Sequence, residues 1–212
     1  MRNLLLVLLV PVIVLASCNS NYTPRPKGYF AINFPEHAYQ SFQQAGFPYS
    51  FEYPVYGEIT RDSSFFDDNP DNPYWVNIDF PVFNAKIYLS YKTVGGRSGY
   101  KVKTETGYRD SFAVNTFENL REEAYKITYK HTARASSIED STFKTKSGIE
   151  GVFFNVGGNA ATGKQFYVTD SVKHFLRGAL YFNETPNEDS LGIVYRFLEK
   201  DIQHLINTLE WK

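Results

Sequence analysis

Gly163-Lys-Gln-Phe-Tyr-Val-Thr-Asp-Ser-Val-Lys-His-Phe-Leu-Arg-Gly-Ala-Leu-Tyr-Phe-Asn183 is the stretch whose reading decides the fold. Gln165 to Thr169 alternates with period two, and Val172 to Phe182 is a longer run of aromatic and aliphatic residues. Asp170-Ser171 supplies turn chemistry between them, so the pattern predicts two strands in a hairpin, the second open to a bend near Gly178. Working outward, Ile149 to Val156 reads as a further strand, and so do Tyr49 to Tyr53, Trp75 to Phe80 and Ala85 to Tyr91. The last two look like antiparallel neighbours joined by a turn over Pro81 to Asn84. Gly95-Gly96-Arg97-Ser98-Gly99 reads as a flexible loop.

Two helices accompany these strands. Phe117, Leu120, Ala124 and Ile127 fall on one stripe of a helix expected from Asn115 to His131, with Asn115 or Thr116 as its cap. Val194, Phe197, Leu198, Ile202, Leu205 and Leu209 form the apolar face of a C-terminal amphipathic helix, capped by Asp189 or Ser190. Trp211 is expected to close the core just past its end. Strands outnumber helices, so the expected class is α+β, a mainly antiparallel sheet flanked by helices.

At the start of the chain, Arg2 is followed by an apolar run from Leu4 to Leu15. That run is shorter than the roughly 20 residues a bilayer span requires. It has the make-up of a secretory signal peptide. Leu15-Ala16-Ser17-Cys18 ends it with the pattern of a lipobox: small residues for the peptidase, then a thiol to take a diacylglyceryl group. Cleavage is expected between Ser17 and Cys18, with Cys18 lipidated. Cys18 is the only cysteine, so lipidation leaves no free thiol and no disulfide is available. Residues 1–17 are then the signal peptide, 18–28 a lipidated tether and 29–212 one globular α+β domain. Pro24 and Pro26 favour an extended tether, whose last ten residues reach roughly 35 Å at full stretch. Asn19-Ser20-Asn21 carries no acidic run of the kind associated with surface export, which favours a periplasm-facing position in the cell envelope.

Loss of Arg2 with the signal peptide leaves 21 basic and 23 acidic residues, a formal charge of −2. That balance argues against nucleic acid as a partner. The 17% aromatic content suits a sheet-rich structure with a large core.

Motifs that resemble chemistry are incomplete. Gly158-Asn-Ala-Ala-Thr-Gly-Lys164-Gln165 nearly matches a P-loop. Gln165 replaces the magnesium-binding Ser or Thr, however, and a strand follows where a helix must open. No nucleotide is expected. Asp67, Asn69 and Asp71 have calcium-loop spacing, but Asn72 replaces the glycine and Ile78 the twelfth-position glutamate. A solvated acidic turn accounts for them. His37, His131, His174 and His204 are scattered without metal-ligand spacing. Gly96-Arg97-Ser98-Gly99 lacks nucleophile-elbow spacing. Asp170 and His174 are placed to meet, a pairing that structural roles explain. No catalytic residue, metal or cofactor is expected. Asp140-Ser141-Thr142, Asp170-Ser171-Val172 and Asp189-Ser190-Leu191 each match a short O-glycosylation sequence of Bacteroidetes, and turn and cap roles already explain the second and third.

Several stretches together resemble the gliding-motility lipoprotein family GldD of Bacteroidetes. They are Tyr22-Thr-Pro-Arg-Pro-Lys-Gly-Tyr-Phe30, Phe51-Glu-Tyr-Pro54, the Gly163 to Asn183 stretch, Pro186-Asn187, Asp189-Ser190 and the helix ending at Trp211. The resemblance implies a non-enzymatic envelope component that is required for gliding, contacts proteins of the motility machinery and the linked type IX secretion system, and is held on the membrane through the lipid on Cys18. It carries no catalytic motif. The order of elements also resembles the PsbP-like fold. Asp170, His174 and Arg177 form a polar edge in this reading, a candidate contact for a machinery partner; a buried hairpin with paired charges is the alternative. Two other functions stay open at this point: an envelope hydrolase with a site assembled from distant residues, and a small-ligand-binding lipoprotein.

Overall fold

The computed structural model describes residues 32–61 and 72–212. The expectations for the signal peptide, Ser17, Cys18, the tether and the Asp67, Asn69, Asp71 turn lie outside the described residues. Asn33–Lys212 make up one unit of the chain.

The deciding stretch forms β10 (Thr162–Thr169) and β11 (His174–Phe182), paired antiparallel with Val168 opposite Leu176 and Phe166 opposite Gly178. Asp170 builds the turn: its Oδ1 accepts the backbone N–H groups of Val172, Lys173 and His174 at 3.0, 2.9 and 2.8 Å. Val172 and Lys173 therefore belong to the turn and not to the strand. Register runs unbroken through Gly178 on both sides, against Phe166 and Leu89, so no bend is centred there. The glycine instead makes room for a ring: a Cβ at 178 would sit 2.3 Å from Phe166 carbons.

Around this pair a seven-stranded antiparallel sheet runs in the order β3-β4-β5-β11-β10-β9-β8. Its other members are β3 (Glu58–Thr60), β4 (Val76–Phe80), β5 (Ala85–Thr93), β8 (Ala135–Lys144) and β9 (Glu150–Gly158). The sheet is thus two meanders, β3-β4-β5 and β8-β9-β10-β11, joined where β5 pairs with β11. β1 (Tyr39–Phe42), β2 (Tyr49–Pro54) and β12 (Glu210–Trp211) make a three-stranded sheet. β6 (Arg97–Thr104) and β7 (Gly107–Val114) make a separate two-stranded ribbon.

The main sheet is covered on both faces, which is why β11 reads as a nearly continuous apolar run and not as a simple alternation. On one face, α2 (Glu188–Thr208) and β2 seal the larger core: Ile78, Ile87, Leu89, Leu176 and Leu180 share one cluster with Tyr49, Phe51, Leu198, Ile202 and Leu205. Each such side chain contributes roughly 1.5–3 kcal/mol over its exposed state. On the other face, Leu120 and Ala124 of α1 (Phe117–Tyr129) pack on Val152, Phe154, Tyr167 and Phe175.

Thr116 caps α1 as expected, its side chain accepting the N–H of Asn119 at 3.1 Å. The cap of α2 is Asn187, two residues before Asp189 and three before Ser190. Its side chain accepts from Asp189 N, and both predicted caps lie within the first turn. Trp211 lies in β12 opposite Tyr49, as a partly buried member of the larger core. The Gly95–Gly99 loop is a tighter feature than expected: only Gly95-Gly96 turns, with Gly95 at φ +80°, and Arg97 already opens β6.

Candidate functional site

Asp201 occupies a place on the buried face of α2 where a hydrophobic residue is expected, between Leu198 and Leu205. Its side chain is 1% exposed. Three donors converge on it from the segment that precedes and forms the small sheet. His37 Nδ1 lies 2.7 Å from Oδ1, the Tyr39 hydroxyl donates to Oδ1 at 3.1 Å, and the Tyr56 hydroxyl donates to Oδ2. Burial, with the Asp201 charge and hydrogen bond, pushes the Tyr39 hydroxyl up to about 12. The same influences push Tyr56 further up, so both phenols stay protonated donors. The Tyr39 ring stacks on His204 at 3.5 Å between centroids, and His204 Nε2 sits 2.6 Å from Glu52 Oε2. His37 stacks on Phe197 at 4.4 Å. With both carboxylate oxygens engaged and both phenols protonated, this constellation works as a latch that fixes residues 37–56 to α2.

The predicted polar edge is buried at two of its three residues. Arg177 and His174 are interior residues, 8% and 4% exposed, and only Asp170 of the three faces solvent. Arg177 Nη2 donates to Gln165 Oε1, which also accepts from Thr128 Oγ1 at 3.2 Å. Burial lowers the Arg177 pKa, opposed by Tyr181 and Glu123. The Tyr91 hydroxyl lies 2.7 Å from His174 Nδ1, and Trp211 stacks on the imidazole with centroids 4.9 Å apart. Asp170 and His174 do meet, through a carboxylate-to-backbone bond and not between side chains. Burial of Arg177 and His174 is the arrangement that the buried-hairpin alternative describes, with Asp170 left at the surface.

The remaining motifs resolve in the same direction. Gly158 to Gln165 joins two antiparallel strands, and Lys164 is held by Asn155 Oδ1 at 2.6 Å and Glu199 Oε2 at 2.8 Å. Ile78 is fully buried in β4, and Asn72 donates to the Tyr91 carbonyl at 2.8 Å. Ser141 and Ser171 are exposed, and Ser190 donates to the Asn187 carbonyl at 3.2 Å inside a helix turn. An open groove of about 420 Å³ lies beside Phe117, Thr142, Tyr167 and Thr169; its charged lining residues, Lys144 and Glu150, pair with each other at 2.9 Å.

The surface feature that sequence reading missed is the β6–β7 ribbon. Residues directly opposed across an antiparallel pair share a face. One face carries Val114, Phe112 and Tyr108 on β7, with Arg97, Gly99, Lys101 and Lys103 opposite on β6 and Asp110 facing Lys101. Tyr108, Phe112 and Val114 are 72%, 67% and 51% exposed. The signal was present in the alternation Tyr108-Arg-Asp-Ser-Phe112-Ala-Val114, with Gly107 at the turn. The latch also left a trace: a carboxylate three residues after Leu198 and four before Leu205 falls on the apolar stripe.

Fold and surface together define an α+β domain in which the clustered titratable groups hold elements to one another, while the most exposed aromatic side chains among the described residues stand on the two-stranded ribbon. The chain belongs to the gliding motility lipoprotein GldD family, whose model matches residues 19–211. Membership makes it a gliding-motility lipoprotein associated with the cell envelope. No described helix is long and apolar enough to cross a membrane. No curated protein matches the sequence. Among solved structures, the solution structure of cyanobacterial PsbP from Synechocystis is similar at 9% identity, covering 88% of this chain and 99% of that one with a TM-score of 0.47.

Proposed function

We propose that this protein is a lipid-anchored, non-enzymatic component or assembly factor of the gliding-motility machinery and its linked type IX secretion system. Cleavage after Ser17 leaves Cys18 as the lipidated first residue, and the domain faces the periplasm at the end of a short tether. The observation that carries this reading is the family match, which spans nearly all of the chain beyond Cys18. The arrangement of polar groups supports it. The Asp201 carboxylate is occupied by partners that hold the fold, and the groove's charged lining residues neutralise each other. An anchored domain of this kind acts through what its surface touches.

The test is capture from solubilised envelope membranes with the chain carrying Cys18 and with Cys18→Ser. Recovery of motility or secretion proteins with the anchored form, and their loss with the serine form, is the expected result. An anchored chain that recovers none of them contradicts the reading.

A further inference from the structure

We infer that the Tyr108, Phe112 and Val114 face of the β6–β7 ribbon is a second membrane contact, docking on an anionic phospholipid surface. The inference rests on the lipoprotein reading, because the anchor brings the ribbon to the membrane.

A two-stranded ribbon is at best marginally stable in water, and this one belongs to neither of the other sheets. Every residue of the face in question is exposed. On the opposite face Ser98, Val102 and Ser111 are half-buried, while Tyr100, Arg109 and Ala113 are exposed. The opposite face is thus partly covered, and the Tyr108, Phe112 and Val114 face is open along its whole length. The open face is defined in its details. The Phe112 ring lies over Gly99, where a Cβ would stand 3.5 Å from a ring carbon. Lys101 faces Asp110, which leaves Arg97 and Lys103 opposite Val114 and Tyr108 without a carboxylate across the strand pair. This face carries three cations, Arg97, Lys101 and Lys103, and one carboxylate, Asp110, while the whole chain has a net charge of −1. The patch is thus locally basic on a slightly acidic protein.

Aromatic rings flanked by long cationic side chains suit the headgroup zone of a bilayer. The rings settle at the interface, while Lys and Arg lay their stems along apolar surface and reach lipid phosphates. A diacylglyceryl group holds the chain on the membrane by itself, and a basic patch adds a second contact that sets which face of the domain lies against it. A tether reaching roughly 35 Å keeps such a contact at high effective concentration.

Vesicle flotation tests this with the chain beginning at residue 18 and carrying Cys18→Ser, so that no lipid contributes. The unsubstituted ribbon is expected to bind vesicles of phosphatidylethanolamine with phosphatidylglycerol, and to bind phosphatidylcholine vesicles far less. Arg97→Ala with Lys103→Ala should weaken anionic binding roughly thirtyfold. Tyr108→Ser with Phe112→Ser should weaken it about tenfold or more. Thermal denaturation of both variants checks that the domain is intact. Absence of binding by the unsubstituted ribbon overturns the inference, and so does equal binding by the variants. So does a result in which the variants keep vesicle binding and instead lose capture of envelope proteins, which marks the face as a protein interface. The lipid on Cys18 is absent throughout, so failure here is separable from failure of the anchor.

Discussion

Asp201 shows how one residue ties distant parts of this chain together. Removing its carboxylate leaves the half-buried His37, Tyr39 and Tyr56 without their shared acceptor. Asp201→Ala is expected to cost about 1–3 kcal/mol in urea denaturation. Gly178→Ala should also destabilise the domain, by about 1–3 kcal/mol, because the new methyl meets the Phe166 ring in a closely packed layer. Protonation acts at the same scale. Burial holds His174 below the usual 6.5, with Lys173 adding to it and Asp170 opposing, and burial with the Arg177 charge does the same for His131. The unfolded chain therefore takes up these protons first as pH falls. Stability is full above about 6.5 and declines below it until the folded values are passed. For Asp170, burial pushes the pKa up, but the N–H bonds from His174, Lys173 and Val172 prevail and hold it below 3.8. Its contribution is present above that value and lost in stronger acid. Melting temperature should drop between about pH 7 and 5, and His174→Gln should make that drop shallower; an unchanged slope would count against His174. At this scale the sequence was a partial guide. The Thr116 cap was readable, whereas Asp201, His37, Tyr39 and Tyr56 are brought together from 145 or more positions apart.

The elements differ in how plainly they announce themselves. β4, β5, β9, β10 and β11 were legible because core positions recur along them at strand spacing. Both helices were legible because Leu120 and Ala124, and Leu198, Ile202 and Leu205, repeat at helical spacing. β8 was not, because Ala-Ser-Ser-Ile-Glu-Asp-Ser-Thr-Phe-Lys is an edge strand facing solvent, and backbone pairing with β9 holds it where burial does not. β1, β3 and β12 are only four, three and two residues long, and β12 depends on a partner at the other end of the described chain, Tyr49-Ser50 of β2. The ribbon was hidden by its own glycines, which read as a loop. Since none of its residues is buried in the core, replacing 97–114 by a short glycine linker should leave the melting temperature within a few degrees. A large loss of stability, measured calorimetrically, would mean that the ribbon belongs to the folding unit.

For the molecule as a whole, the class was legible and the topology was not. Composition and period gave antiparallel strands with two flanking helices. The pairing of β5 with β11 joins residues more than eighty apart, and nothing local encodes it. That pairing makes one sheet of two meanders, and the latch at Asp201 fixes residues 37–56 onto α2. On the function proposed above, the domain works only when held at the membrane. Gliding speed tests this in cells whose only copy carries Cys18→Ser, with the protein level matched to the unsubstituted strain. Gliding is expected to be lost although the folded domain is present. Gliding at normal speed by cells with the unanchored chain would contradict it.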